Sequence, residues 1–100
     1  MVRHIILWKL KPELAGEEKE KVMQNAKQAL ESLLGVVPGL LKIKVYTQKL
    51  PSSNADMMLE TELESADALA VYQKHPAHVA AASTYVRPFT ADRVCMDFEA

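Results

Sequence analysis

The stretch VRHIILWKL, residues 2–10, decides the fold. Ile, Leu, Val and Trp dominate it and Pro12 ends it, which is the composition of a β-strand. Val2, His4, Ile6, Trp8 and Leu10 fall on one face of such a strand, and Arg3, Ile5, Leu7 and Lys9 on the other. Both faces are apolar in the middle, and a strand apolar on both sides is covered on both sides.

Working outward, residues 17–34 carry Val22, Ala26, Ala29, Leu30 and Leu33 at three- and four-residue steps, the stripe of a helix. Glu17 and Glu18 sit in its first turn, where the helix dipole favours them. Gly35 can end the helix in the left-handed conformation, and Pro38 prevents its resumption. Residues 40–50 alternate as a strand, with Leu41, Ile43 and Val45 on one face and Lys42, Lys44 and Tyr46 on the other. Turn residues Pro51 to Asn54 lead to a third strand over 57–63.

Ser65 is a helix N-cap followed by Asp67, and the helix over 66–74 stops before Pro76. Proline suits a first helical turn, so a further helix runs from Pro76 through Tyr85. A last strand spans 93–99, with Val94, Met96 and Phe98 alternating against Cys95 and Asp97. The order β-α-β-β-α-β is an α+β arrangement, the split βαβ sandwich, over one domain of residues 1–100. Helices cover one face of the sheet. The doubly apolar first strand implies that the other face is covered too, most simply by a second copy in a homodimeric α/β barrel.

At 100 residues with 49% hydrophobic content the chain can build a core. Its net charge of -1 supplies no field for nucleic acid, so that partner is not expected. No apolar run approaches the ~20 residues of a membrane span. The N-terminus lacks a signal-peptide pattern, and the single cysteine, Cys95, excludes an internal disulfide. A cytoplasmic protein follows as the expectation. No glycine-rich phosphate loop is present, and the three histidines and one cysteine are not spaced as a zinc set, so neither metal nor cofactor is expected.

His4-Ile-Ile-Leu-Trp-Lys9, Val37-Pro-Gly39, Glu64-Ser65, Tyr72, His75-Pro-Ala-His78 and Met96-Asp-Phe98 together resemble the stress-responsive dimeric α/β-barrel (Dabb) family over residues 4–98. The tyrosine followed by HPAH is the most specific part. The resemblance implies a ferredoxin-like fold and a homodimeric barrel. One plant branch, of the olivetolic acid cyclase type, folds a linear polyketide and drives an aldol condensation. By motif the resemblance makes His78 the base and Tyr72 the group that binds an oxygen, with His4 the histidine of the first strand. That branch has a further pocket histidine in the third strand, where this chain has Met57. Members of the family also hold a cation on backbone carbonyls after the first helix, here around Leu34, Val37 and Leu40.

Each candidate has a functional and a structural reading. His78, in the first turn of a helix, is either a neutral base in a pocket or a histidine that bonds a backbone carbonyl and locks the kink at Pro76. Tyr72 either donates to a carbonyl oxygen or is a core tyrosine. His4 is a pocket residue or a satisfied core histidine, and His75 is expected to cap the next helix. Ala80 to Ser83 are small, which allows close packing on the sheet or a hollow beneath. Such a hollow, lined by His4, Ile6, Trp8, Leu30, Met57 and Leu59, suits a small apolar or aromatic molecule. Cys95 reads as an inert core thiol. Three functions stay open: a ligand-binding homodimer with an acid-base pocket, a polyketide cyclase-like or lyase enzyme, and a stress-related assembly protein without a ligand.

Overall fold

Residues Val2–Leu10 form strand β1, an inner strand of a four-stranded antiparallel sheet, in the computed structural model, which describes residues 1–100. The chain continues through α1 (Gly16–Glu31), β2 (Leu40–Tyr46), β3 (Met57–Leu63), α2 (Ala66–Lys74), α3 (Pro76–Tyr85), a 3-10 turn at Arg87–Phe89 and β4 (Thr90–Glu99). The strand order is β2-β3-β1-β4, so β1 pairs with β3 on one side and with β4 on the other. This is the ferredoxin-like α+β fold, and the βαββαβ order expected from the pattern is the one observed.

The even residues of β1 are all buried and build the core with Leu59 and Leu63 of β3 and Val22, Met23, Ala26 and Leu30 of α1. The odd residues fare differently: Leu7 and Lys9 are exposed, and Arg3 and Ile5 half-buried. All helices therefore lie on one face of the sheet, and the other is open. Across that open face, strand register sets Ile5 opposite Met96, Leu7 opposite Val94 and Met58, and Tyr46 opposite Met58. Met96 is 65% and Val94 62% exposed, so an apolar strip lies uncovered on the single chain.

Two caps were legible beforehand. The Ser65 side chain accepts from the Ala68 N–H at 3.1 Å at the start of α2. His75 Nδ1 accepts from the Ala77 N–H at 3.1 Å and caps α3 directly after the break at Pro76.

Other expectations are corrected. Helix α1 ends at Glu31 rather than Leu34. The Ser32 hydroxyl donates to the Ala29 carbonyl at 2.6 Å, and such local bonds compete with the helical ladder. Gly35, at φ +85°, lies in the turns beyond the helix end. Leu41 does not share a face with Ile43 and Val45: a register shift between Leu40 and Lys42 bulges the strand and leaves Leu41 49% exposed. Strand β2 stops at Tyr46 instead of residue 50, because β3, its partner, offers no residue beyond Met57 to pair with. Strand β4 begins at Thr90, three residues before expectation, because an irregularity at Lys9/Leu10 lets β1 pair with it as far as Thr90.

The far end of β1 is pinned by Asp56, which is 7% exposed. Its carboxylate accepts from the Leu10 N–H at 2.8 Å and from the ammonium groups of Lys19 and Lys49 at 2.9 Å each. Burial pushes this carboxyl upward, but the two ammoniums and the backbone N–H outweigh it and hold it far below the usual carboxylate range.

Candidate active site

A hollow of about 530 Å³ opens between the helical layer and the β1–β4 side of the sheet. Ile6, Trp8, Leu30, Leu59 and Ala82 give it an apolar wall, and His78, Arg87, Thr90 and Arg93 supply its polar groups. The alternation of β1 and β3 aims Ile6, Trp8 and Leu59 at the helices. Ala82 keeps the facing part of α3 small enough to leave room. A second hollow of about 520 Å³ lies between α1 and α3, with Asn25, Gln28, Ala80 and Tyr85 among its walls. It holds no histidine, carboxylate, lysine or arginine, and Tyr85 is its one titratable side chain.

His78 is the titratable group of the first hollow. Its Nδ1–H donates to the Gln73 carbonyl at 3.1 Å, a bond across the break between α2 and α3. A carbonyl only accepts, so the proton of the neutral ring sits on Nδ1 and Nε2 carries the free lone pair. Burial lowers the His78 pKa, the Gln73 carbonyl opposes that, and the positive charge of Arg87 and Arg93 adds to the lowering. The net direction is downward, which keeps the ring neutral at pH 7. Partial burial is the largest of these causes. The carbonyl bond of the structural reading and the pocket position of the functional reading coexist, since one nitrogen serves each.

Tyr72 packs on His78 with ring centroids 4.5 Å apart and on the edge of His4 at 6.1 Å. It is fully buried, and its hydroxyl has no hydrogen-bond partner. Burial pushes the phenol pKa well above its ordinary value, so the hydroxyl remains a neutral donor. Tyr72 stands behind the His78 ring and is not one of the residues lining the hollow.

His4 is 1% exposed and likewise stands off the hollow. Its Nδ1–H donates to Asp97 across the β1–β4 pair, and the Thr61 hydroxyl donates to its backbone carbonyl at 2.6 Å. The Cys95 thiol donates to the same Asp97 oxygen at 3.3 Å. Burial raises the Asp97 carboxyl, and the bonds from His4 and Cys95 reverse this, leaving it below the usual range. Cys95 is thus not a core thiol: β4 is an edge strand, the helical layer does not extend over it, and the residue is exposed. Burial of the sulfur itself and the bond to Asp97 raise the thiol pKa, which keeps it protonated and weakly nucleophilic.

The hollow therefore brings together Ile6, Trp8, Leu30, Leu59 and His78 of the residues singled out by sequence. It leaves out His4 and Tyr72, which form a second layer, and Met57, which lines a separate depression with Leu7, Tyr46 and Met58. Arg87, Thr90 and Arg93 were missed. Arg93 was accessible to reasoning, since it alternates with Cys95 and Asp97 and pairs with Trp8, placing it on the helix-facing side. His4, Cys95 and Asp97 offer three metal-capable donor atoms within 4.8 Å of one another, a grouping made by strand pairing and invisible to spacing along the chain. Of the carbonyl positions after α1, that of Val37 accepts the Leu40 N–H at 3.4 Å.

The family described as Stress responsive A/B Barrel Domain matches residues 2–100. The chain belongs to this family. Among relatives of this stress-responsive barrel, olivetolic acid cyclase from Cannabis sativa is 27% identical, over 97% of this chain and 94% of that protein. A dimeric protein of unknown function and ferredoxin-like fold from Bacteroides fragilis superposes with TM-score 0.92 at 33% identity, over 99% of this chain and 95% of that one. A dimeric ferredoxin-like protein from Thermobifida fusca gives TM-score 0.80 at 29% identity, over 99% and 90% of the two chains. No helix of this barrel domain is long and apolar enough to cross a membrane.

Proposed function

We propose that the protein is a homodimeric small-molecule-binding barrel whose ligand occupies the hollow beside His78, with His78 Nε2 as an acid-base group. The observation that carries this reading is the position of His78: a neutral ring, oriented through Nδ1, on the wall of a hollow that is largely apolar on its sheet side and large enough for a small organic molecule. The dimeric state of the similar bacterial structures and the uncovered apolar strip support the pairing of two copies.

A cyclase- or lyase-like reaction is the second reading, favoured by the likeness to olivetolic acid cyclase. In it His78 removes a proton beside a ketone, the electron pair moves onto the oxygen as an enolate, the enolate carbon then bonds to a second carbonyl carbon of the same substrate, and His78 returns the proton to the alkoxide oxygen formed there. Tyr72, lying behind His78, positions the ring, and its hydroxyl reaches substrate only if the hollow deepens on binding. Met57 in place of a pocket histidine distinguishes this chain within that reading.

Trp8, the only tryptophan, lines the hollow and reports occupancy. A nitro-substituted aryl ketone is expected to quench its emission saturably, and Ala82→Phe, which fills the hollow, to abolish the effect. Exchange of the α-protons of phenylacetone in D₂O, followed by NMR, tests the base. His78→Gln is expected to lower that exchange by ~10²-fold or more. Quenching without His78-dependent exchange would leave a binding protein; neither would overturn the reading.

A further inference from the structure

The hollow contains two charges that the reading above does not use. Of the chain's three arginines, Arg3 is paired with Glu62 at 3.4 Å. Arg87 and Arg93 have no carboxylate within ion-pair distance, and these two line the hollow. Arg87 donates to the Ser83 hydroxyl at 3.0 Å, which uses one of its five N–H donors and orients the group. Arg93 is opposite Trp8 in the β1–β4 register. The charge of Arg93 acts on Asp97, but the two are not within ion-pair distance, and Asp97 Oδ1 takes the bonds from His4 and Cys95.

Two unpaired guanidiniums beside an apolar wall make a polarised site. One end is Ile6, Trp8, Leu30 and Leu59, and the other carries two planar donors suited to oxyanions. Both side chains are solvent-exposed, so a neutral apolar ligand leaves them to water, whereas an oxyanion can pair with both. We infer that the ligand is an amphipathic anion, an aromatic or alkyl body on the Trp8 side bearing a carboxylate or similar oxyanion held between Arg87 and Arg93. This rests on the hollow being a ligand site, and it adds the ligand's charge class. His78 then lies next to the anionic end, so any carbon it deprotonates is near the charged group of the substrate rather than at its apolar tail.

Calorimetric titration with 2-naphthoate and with neutral 2-naphthamide separates the two claims. Wild type is expected to bind naphthoate about tenfold or more tightly than the amide, with the preference falling as salt rises. Arg93→Gln and Arg87→Gln are each expected to weaken naphthoate about tenfold and leave the amide unchanged, while Arg93→Lys restores part of the loss. Ala82→Phe is expected to remove binding of both. Equal binding of the two probes, insensitive to either arginine, overturns the anion assignment while the hollow remains a ligand site. Naphthoate binding that survives Ala82→Phe places the anion elsewhere and also overturns it. Failure of both probes to bind wild type at millimolar concentration removes the ligand site and the inference together.

Discussion

At the scale of single residues, Asp56 and Tyr72 show opposite relations between burial and stability. Asp56 is a buried carboxylate satisfied by three donors from β1, α1 and the segment after β2. Asp56→Ala strands the Leu10 N–H and separates those elements, and a loss of about 2–3 kcal/mol is expected in chemical denaturation. Its folded pKa is lowered, so its contribution is complete above the ordinary aspartate value of ~3.9 and is lost as pH falls below it. Wild type and Asp56→Ala should therefore converge in stability at strongly acid pH. Tyr72 buries a hydroxyl that bonds nothing. Tyr72→Phe deletes the unsatisfied group and keeps the ring, so stability is expected to hold or rise by up to about 1 kcal/mol. A clear loss would reveal a partner for that hydroxyl. His78 has a lowered folded pKa as well, and for a histidine this means protonation opposes folding. Stability falls as pH drops below ~6.5, and His78→Gln should flatten that part of the pH profile. Which residues share the hollow was partly legible: Ile6, Trp8 and Leu59 follow from strand alternation, and His78 from its place after Pro76. The second-layer positions of His4 and Tyr72 were not, because they depend on how far α2 and α3 are displaced along β1.

At the scale of elements, capping chemistry was readable and element ends were less so. The Ser65 cap and the proline break depend on neighbours in sequence, and both are where local rules put them. The ends of β2 and β4 depend on where a partner strand runs out, and the bulge at Leu41 on a register that only pairing reveals. Ser65→Ala is expected to cost ~1 kcal/mol by freeing the Ala68 N–H, measurable as a shift in denaturation midpoint without a change in slope. Gly39 is a harder constraint. It has φ +80°, its carbonyl accepts the Glu64 N–H at 3.0 Å, and a Cβ there would stand 2.7 Å from the Ala68 Cβ. The turn into β2 thus touches α2 directly. Gly39→Ala combines positive-φ strain with a clash against a helix, and a loss of at least ~2 kcal/mol is expected. Ala68→Gly removes the opposing methyl, so in the double variant the clash should vanish and only strain and lost helix propensity remain. A double-mutant cycle showing no coupling would mean that the turn and α2 move apart freely.

At the scale of the whole molecule, the unresolved balance is on the open face of the sheet. A sheet with helices on one side can leave the other wet if its residues there are polar. Here they are mixed: Arg3, Glu60, Glu62 and Lys44 share that face with Ile5, Leu7, Tyr46, Met58, Val94 and Met96. The ion pairs Arg3–Glu62 and Lys42–Glu60 cluster toward β2 and β3, whereas the most exposed apolar side chains are on edge strand β4. A contiguous apolar strip on a small chain marks an interaction surface, and covering it with a second copy also shields an edge strand from indiscriminate pairing. Specific interfaces between stable partners bury ~1,200–2,000 Å² in total, about half from each copy. Sedimentation at micromolar concentration is therefore expected to show one species of twice the chain mass. Val94→Glu with Met96→Glu places four added carboxylates in the paired interface. These residues are solvent-exposed on the isolated chain, so the substitution should leave its folding intact and shift the protein to monomer. Adding salt should restore little of the dimer, because the cost is desolvation of the carboxylates as well as their mutual repulsion. A variant that remains dimeric with an unchanged sedimentation coefficient would mean that the copies meet through another surface and that the open face is left to water.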